Sequence, residues 1–434
     1  MSMFFEIDTN IALEASRRIL KIKAQNLITR FVDEFEVDLE YHHLFKLLML
    51  VDDTPKFRHW LSVSRSLLRS KSLGCDIEPQ FISHFYLDSL NPQRLAELHI
   101  IGAIELLIDD ALKKQESLAF DFPNIKIPRA FHTWHTGTIF SQNPENGLAL
   151  NLSKGPYLDL HLGSSKYHSK VYEELLLGGV IQPDMRISVN GADILVASNV
   201  PSLANVYLSN LPIVKGEAAL ADWAKYISCG MNLIDKIDVN LLRDCALLAK
   251  AICPLHCNGV SFGSSSPTEV IGLVFLPAVR DYFDVAECLV HESMHQKLYH
   301  CEEGARLLDG DAADDEIYYS PWRPDPRPLR MLIHGAFVFI AVAEFWSKLD
   351  VNELCGGERK RSLFNQHYRL IQAKTALDII EKHSNLTSFG EKIMHAMRLN
   401  HQKCLGGVQL DNSIMNQASE QAGQHFARYS DYVR

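Results

Sequence analysis

The strongest constraint on this chain is an HExxH motif, His291 to His295, inside a stretch that is free of helix breakers. No proline or glycine occurs between residues 281 and 301, and apolar residues recur before the motif at helical spacing. Side chains four positions apart lie on one face of a helix, so His291 and His295 can bind one metal ion together. Glu292 points about 100° away around the axis, where it can contact a metal-bound water or a substrate. The motif therefore predicts a helix with a metalloenzyme site; the alternative is a helix with two surface or core histidines.

A metal site needs a third protein ligand, and six residues after the motif carry suitable groups: His300, Glu302, Glu303, Asp325, His334 and Glu344. Glu302 and Glu303 are expected to be solvated at the end of the motif helix. His334 is the preferred ligand, because it interrupts an apolar stretch in which an unpartnered imidazole is costly. The alternative for His334 is a core histidine that bonds a backbone carbonyl.

The segment between the motif helix and His334 contains four prolines within residues 321–328, and is therefore stiff and extended. Arg323 and Arg327 in this segment carry forked donors that suit a carboxylate. The structural alternative is that the two arginines pair with Asp325 or with the acidic run at 309–316.

Composition narrows the class of protein. The net charge of −10 argues against nonspecific nucleic-acid binding, which relies on clustered Lys and Arg. The longest apolar run, residues 335–343, is shorter than the ~20 residues of a membrane span, so no membrane partner is expected. The nine cysteines and the absence of a secretory pattern in the first 13 residues predict a cytoplasmic protein. Nothing in the sequence predicts an oligomeric state.

The chain divides by pattern into three regions: a helical N-terminal region at 1–125, a β-rich region at 126–215, and a catalytic HExxH region with C-terminal helices at 216–434. The predicted fold class is α+β and mainly helical. A small β region precedes the motif helix, which packs against a second helix that carries His334. The polar final thirty residues are expected to be partly disordered.

Three blocks of the sequence together resemble the HEXXH motif-domain family, whose members are found beside ribosomally made peptide natural products. These blocks are His291–Leu298, Ser320–Leu329 and Ile333–Gly335, and the Ser-rich segment Gly263–Gly272 is similar as well. The strong part of the resemblance spans about 90 residues, Val260–Leu349. That family is similar to 2-oxoglutarate-dependent peptide β-hydroxylases.

The resemblance implies an enzyme that hydroxylates the Cβ of a side chain, most readily Asp or His, in a precursor peptide. It implies Fe(II) bound by His291, His295 and His334, and 2-oxoglutarate whose distal carboxylate pairs with Arg323 or Arg327. A three-histidine site departs from the usual two histidines and one carboxylate of such oxygenases. The Glu292 carboxylate is then expected to orient a ligand imidazole or to contact the substrate.

Two other functions fit the same residues. In a zinc metallopeptidase, Glu292 would be the general base that acts on zinc-bound water. In a peptide-binding or scaffold protein, the metal would be structural or absent.

Overall fold

The structure of the chain is a computed structural model. It describes residues 8–35, 42–73, 99–100, 102–107, 110–111, 114, 118–126, 130–133, 137–140, 146–152, 157–162, 165–170, 185–197, 214, 217–256, 263–277, 281–310, 316–349, 353–406 and 411–432. These residues are mainly helical, with a smaller β component, which confirms the predicted fold class at that level.

Ten helices are labelled within the described part of the chain. They are α1 (Thr9–Glu34), α2 (His42–Leu48), α3 (Pro55–Leu73), α4 (Glu217–Ile237), α5 (Val239–Leu248), α6 (Tyr282–Glu302), α7 (Leu329–Ser347), α8 (Gly356–His383), α9 (Ser388–Gly406) and α10 (Asn412–Tyr432). The expectation of partial disorder at the C-terminus is wrong for α10, whose residues 414 and 418 are buried apolar side chains at helical spacing.

The strands are β1 (Leu118–Lys126), β2 (Ala130–Thr133), β3 (Gly137–Phe140), β4 (Asn146–Leu152), β5 (Tyr157–Leu162), β6 (Ser165–Lys170), β7 (Met185–Val189), β8 (Ala192–Val196), β9 (Ala251–Leu255), β10 (Leu273–Pro277), β11 (Ile317–Tyr318) and β12 (Arg327–Pro328). One sheet has the antiparallel order β1-β4-β5-β6, and a second has the order β10-β9-β8-β7. Two short pairs, β2 with β3 and β11 with β12, are antiparallel.

The second sheet is mixed, and it lies against the HExxH region. Strands β7 and β8 form an antiparallel hairpin, whereas β8, β9 and β10 are parallel neighbours. The hairpin turn uses Asn190 and Gly191, both with positive φ (47° and 77°), as a two-residue turn of the right twist requires. Every residue of β9 and β10 is buried, which explains their unbroken apolar sequences. This sheet joins residues of the predicted β-rich region to residues of the predicted catalytic region.

The core of this part of the protein surrounds α7, in which 16 of the 19 residues are buried. Within the described chain, α7 is the one helix long and apolar enough to cross a membrane, but 89% of its apolar window is buried by other elements. A helix that is apolar on all sides and covered in this way is a core helix. Helices α4 and α6 also approach closely, because a Cβ at Gly230 would lie 2.6 Å from Val285 Cγ1.

Candidate metal centre

The HExxH motif lies in the middle of α6, as the sequence predicts. The helix begins after Asp281, whose carboxylate accepts a hydrogen bond of 2.8 Å from the N–H of Phe283. The imidazole centroids of His291 and His295 are 4.9 Å apart on consecutive turns. Both histidines are half-buried, whereas Glu292 is buried. The helix therefore presents two imidazoles on one face and places the glutamate deeper in the protein.

His334 approaches the motif from the neighbouring helix α7. Its side chain is fully buried, and its Nδ1 lies 3.4 Å from Nδ1 of His295. Tyr299, one turn after His295, packs against both rings, with centroid distances of 6.0 Å to His295 and 4.8 Å to His334. The structure thus brings together two of the three predicted metal ligands, one from each helix.

A carboxylate and an arginine anchor the other side of His334. Nε2 of His334 donates to Glu302 over 2.7 Å, and Arg330 donates two bonds of 2.8 Å to the same carboxylate. Burial acts to raise the pKa of Glu302, but the hydrogen bonds from His334 and Arg330 outweigh it and hold that pKa below its usual range. The expectation that Glu302 is solvated is therefore wrong, because the end of α6 packs against the start of α7.

The bond to Glu302 determines which ring nitrogen of His334 carries the proton and which carries the lone pair. Burial lowers the pKa of His334, so the imidazole is neutral and carries one proton. Because the ionised Glu302 carboxylate accepts from Nε2, that proton is on Nε2, and Nδ1 carries a lone pair directed at His295. A ring N–H donated to a carboxylate is the usual arrangement of a metal-binding histidine.

The separation of the two imidazoles fits a shared ion. Two nitrogens that each lie about 2.1 Å from one metal, at an angle between about 90° and 109°, are roughly 3.0–3.4 Å apart. The observed distance between Nδ1 of His295 and Nδ1 of His334 is 3.4 Å, at which the two rings also meet the geometry of an N–H···N hydrogen bond. The donor set of neutral imidazoles suits iron or zinc.

The third histidine lies beside this pair but does not complete it. His291 contacts the ring of Phe339 edge-on at 5.0 Å. Among the residues that the structure describes, no group of three or more His, Cys, Asp or Glu side chains is arranged to hold a metal as the side chains now lie. Burial, with a contribution from Arg369, lowers the pKa of His291 to about 4, so this imidazole is neutral at pH 7.

Arg369 on α8 contacts several of the side chains around His291. Its guanidinium lies 4.6 Å above the Phe339 ring and pairs with Glu287 over 2.7 Å. Arg369 also donates to Gln372, whose amide donates to the carbonyl of Pro321. One cation thus connects the motif helix, α8 and the proline-rich segment.

Glu292 is 1% exposed and accepts a bond of 2.6 Å from the hydroxyl of Ser266 at Oε2. Its other oxygen, Oε1, lies 4.0 Å from Nε2 of His291. Burial raises the pKa of Glu292 to about 7, and bonds from Ser266 and Ser264 oppose that rise. The carboxylate is therefore next to a predicted ligand, and its pKa is close to neutrality.

The proline-rich segment packs on α7 through Trp322. A Cβ at Gly335 would lie 1.9 Å from Cζ2 of Trp322, so glycine is required for the indole to pack on the helix beside His334. Arg323 and Arg327 both pair with Asp325, at 3.1 Å and 2.6 Å. The structural alternative for the two arginines is thus present, and their role toward a cosubstrate stays a prediction.

The remaining candidates for the third ligand are engaged elsewhere. His300 is buried and bonds the hydroxyl of Ser16 over 2.7 Å. Glu303 pairs with Arg58 over 2.9 Å, so the expectation that it is solvated is wrong as well. Glu344 pairs with a lysine one turn later on α7.

Three contacts at the centre are not predicted from the sequence. They are the hydrogen bond of His334 to Glu302, the hydrogen bond of Ser266 to Glu292, and the contacts of Arg369 with Glu287 and Phe339. The sequence gives only a weak indication of each of these contacts. From the sequence, Glu302 is a possible ligand that is expected to be solvated, and Ser266 belongs to a Ser-rich segment without a motif of its own. Arg369 lies 78 positions after His291 in a helix of ordinary composition.

The chain matches no protein-family model and no curated protein. The resemblance to the HEXXH motif-domain family therefore remains a prediction that rests on the residues quoted above.

Proposed function

We propose that this protein is an Fe(II)- and 2-oxoglutarate-dependent oxygenase that hydroxylates the Cβ of a side chain, Asp or His, in a ribosomally made precursor peptide. His291, His295 and His334 would hold the iron. The observation that carries the proposal is the pair of imidazoles from two helices, with Nδ1 atoms 3.4 Å apart and with His334 anchored by Glu302. Iron held with 2-oxoglutarate would use O₂ to replace a C–H bond by C–OH, with one oxygen atom entering the hydroxyl and 2-oxoglutarate oxidised to succinate and CO₂.

The residues of the chain have separate tasks in this proposal. Glu302 and Arg330 hold the proton of His334 on Nε2, which leaves Nδ1 as the ligand atom. Tyr299 and Phe339 cover the imidazoles and restrict the access of water to them. Binding of the metal requires the His291 ring to turn toward the other two, and its position one helical turn from His295 permits this.

Of the two arginines, Arg327 is the better partner for the distal carboxylate of 2-oxoglutarate. Its side chain is 32% exposed, against 53% for Arg323, so an ion pair with it is less screened by solvent. Its Nε–H is buried and has no hydrogen-bond partner among the described residues. Binding of the cosubstrate would displace Asp325 from Arg327 at least in part.

The proposed setting is a reducing compartment such as the cytoplasm, because Fe(II) and thiols persist there. The seven cysteines of the described chain are free thiols. The proposed partner is a precursor peptide, with no role for nucleic acid or membrane.

A second function, zinc metallopeptidase, is favoured by Glu292. A general base must lie close to the reacting water and have a pKa near the working pH. Oε1 of Glu292 lies 4.0 Å from Nε2 of His291, and burial raises its pKa to about 7. The scaffold function remains the third possibility.

Metal binding to the full chain tests the site itself. Apoprotein is titrated with Fe(II) under argon and with Zn(II), and affinity is measured by competition with a chelator. His295→Ala and His334→Ala are expected to lose the tight site, whereas His395→Ala, an exposed histidine on α9, keeps it. Unchanged affinity in His334→Ala would remove His334 from the centre, and a wild-type protein that binds neither metal would favour the scaffold.

Glu292→Gln separates the two enzymes. A peptidase that needs a carboxylate base loses hydrolysis of a peptide library in this variant. An oxygenase keeps its 2-oxoglutarate turnover, measured as succinate, at a reduced rate. Peptide hydrolysis by the wild-type protein that requires zinc and Glu292 would overturn the oxygenase proposal.

A further inference from the structure

The Ser-rich segment before the motif is tied to the sheet by its backbone. Ser265 forms an antiparallel bridge with Phe275 of β10, with N–H···O distances of 3.1 Å and 2.8 Å in the two directions. The start of β10 is in turn bound to the motif helix, because Gln296 accepts from the N–H of Gly272 and donates to the carbonyl of Leu273. The position of the segment relative to α6 is thus fixed by its main-chain bridge to β10 and by the side chain of Gln296.

This bridge sets the direction of the two neighbouring serines. In an extended segment, residues two apart project to the same side, so Ser264 and Ser266 share one side and Ser265 faces the other. The hydroxyl of Ser266 donates to Oε2 of Glu292 over 2.6 Å. A hydroxyl from the Ser-rich segment therefore holds one oxygen of a buried carboxylate.

The chemical type of the group that donates to the Glu292 carboxylate bears on its role. In the described part of the chain, the side-chain hydrogen bond of Glu292 comes from a serine hydroxyl and not from a cation. A neutral hydroxyl orients a carboxylate without cancelling its charge, whereas an arginine or lysine would form an ion pair with it. With Oε2 occupied by Ser266, the other oxygen is left on the side of His291, 4.0 Å from Nε2.

We propose that Ser266 is a positioning residue that directs Oε1 of Glu292 toward the group bound beside His291. The inference rests on the proposed function, because that group is present only if the histidines hold a metal. It assigns a role to the Ser-rich segment, and it makes Glu292 part of the site in an oxygenase as well as in a peptidase.

A double-mutant cycle tests whether Ser266 acts through Glu292. Ser266→Ala, Glu292→Gln and the double variant are compared with the wild-type chain. Ser265→Ala is the matched control, because its contacts with β10 come from the main chain, which alanine retains. Ser266→Thr keeps a hydroxyl and serves as the rescue.

Two readouts are used: the absorption spectrum and affinity of Co(II) bound in place of iron, and the rate of succinate formation with Fe(II), 2-oxoglutarate and O₂. Loss of a group that orients the surroundings of a metal costs about 10–100-fold in affinity or activity. Ser266→Ala is expected to change the Co(II) spectrum and to lower kcat by that factor, with the KM for 2-oxoglutarate unchanged. Ser266→Thr restores most of the rate, and Ser266→Ala has no further effect on either readout in the Glu292→Gln background.

Four results would overturn the inference. An equal effect of Ser266→Ala in the presence and absence of the Glu292 carboxylate would show that the serine does not act through it. An equal effect of Ser265→Ala would show a general disturbance of the strand. Co(II) binding that depends on His295 but is indifferent to Ser266 would refute the positioning role alone, whereas a wild-type chain without His295-dependent metal binding would refute the proposed function too.

Discussion

Replacing Gly335 by alanine tests how the proline-rich segment is docked beside His334. The added Cβ would lie 1.9, 2.3 and 2.6 Å from three atoms of the Trp322 indole. Carbon atoms in contact prefer about 3.5–4.0 Å, so the indole has to move by roughly 1.5 Å or more. Trp322 also packs on Phe339, with centroids 5.2 Å apart, so this movement disturbs a second contact.

Two opposing effects determine how much Gly335→Ala changes the free energy of unfolding. Overpacking of this kind costs typically about 1–3 kcal/mol. Alanine in place of glycine inside a helix stabilises the folded state by about 1 kcal/mol. We therefore expect Gly335→Ala to lower the free energy of unfolding by up to about 2 kcal/mol.

The sign should reverse when the indole is absent. In a Trp322→Ala background the space beside the helix is open, and only the helix preference remains. Gly335→Ala is then expected to stabilise by up to about 1 kcal/mol. Urea unfolding followed by circular dichroism at a helical wavelength measures all four proteins without relying on tryptophan fluorescence. A Gly335→Ala cost that is the same in both backgrounds would refute the packing argument.

Three further predictions concern charged residues, two at the centre and one in the ion pairs of Arg58. Glu302→Gln weakens the anchor of His334 and should reduce metal affinity by about 10–100-fold in a chelator competition; unchanged affinity would contradict the anchoring role. Arg327→Ala should weaken 2-oxoglutarate binding to the iron-loaded protein more than Arg323→Ala does in calorimetry, and the reverse order would contradict the assignment. For Asp53, burial acts to raise the pKa but the charges of Lys250 and Arg58 outweigh it and lower the pKa from 3.8 to about 2. Its stabilisation, on the order of 2 kcal/mol, is therefore present above about pH 4 and lost as the pH falls toward 2, so Asp53→Asn should flatten the acid limb of a stability–pH curve.

The motif helix was the most predictable part of the fold. Its N-cap aspartate, the unbroken run without proline or glycine, and the apolar spacing all act within about twenty residues, so local patterns suffice. The proximity of His334 to the motif could be expected only from the unusual position of a histidine in an apolar helix. Its actual partner, Glu302, was expected to be solvated, because a helix end looks exposed until the next helix is placed against it.

Contacts between distant segments were not predictable from patterns. The Trp322 indole requires glycine at position 335, and no spacing rule connects these two positions. The serine contact to Glu292 depends on the register of Ser265 against β10, which is set by pairing across the sheet. The convergence of Arg369 on the motif helix depends on how α8 packs against α7, which no local pattern encodes.

The central claim is that 2-oxoglutarate binds iron at the centre formed by His291, His295 and His334. The most direct measurement is an anaerobic absorption spectrum of metal-free protein, titrated first with Fe(II) and then with 2-oxoglutarate. We expect a weak visible charge-transfer band that requires both additions, is lost in His295→Ala and His334→Ala, and persists in His395→Ala. Absence of the band in the wild-type protein, with zinc bound tightly instead, would contradict the oxygenase and favour the peptidase.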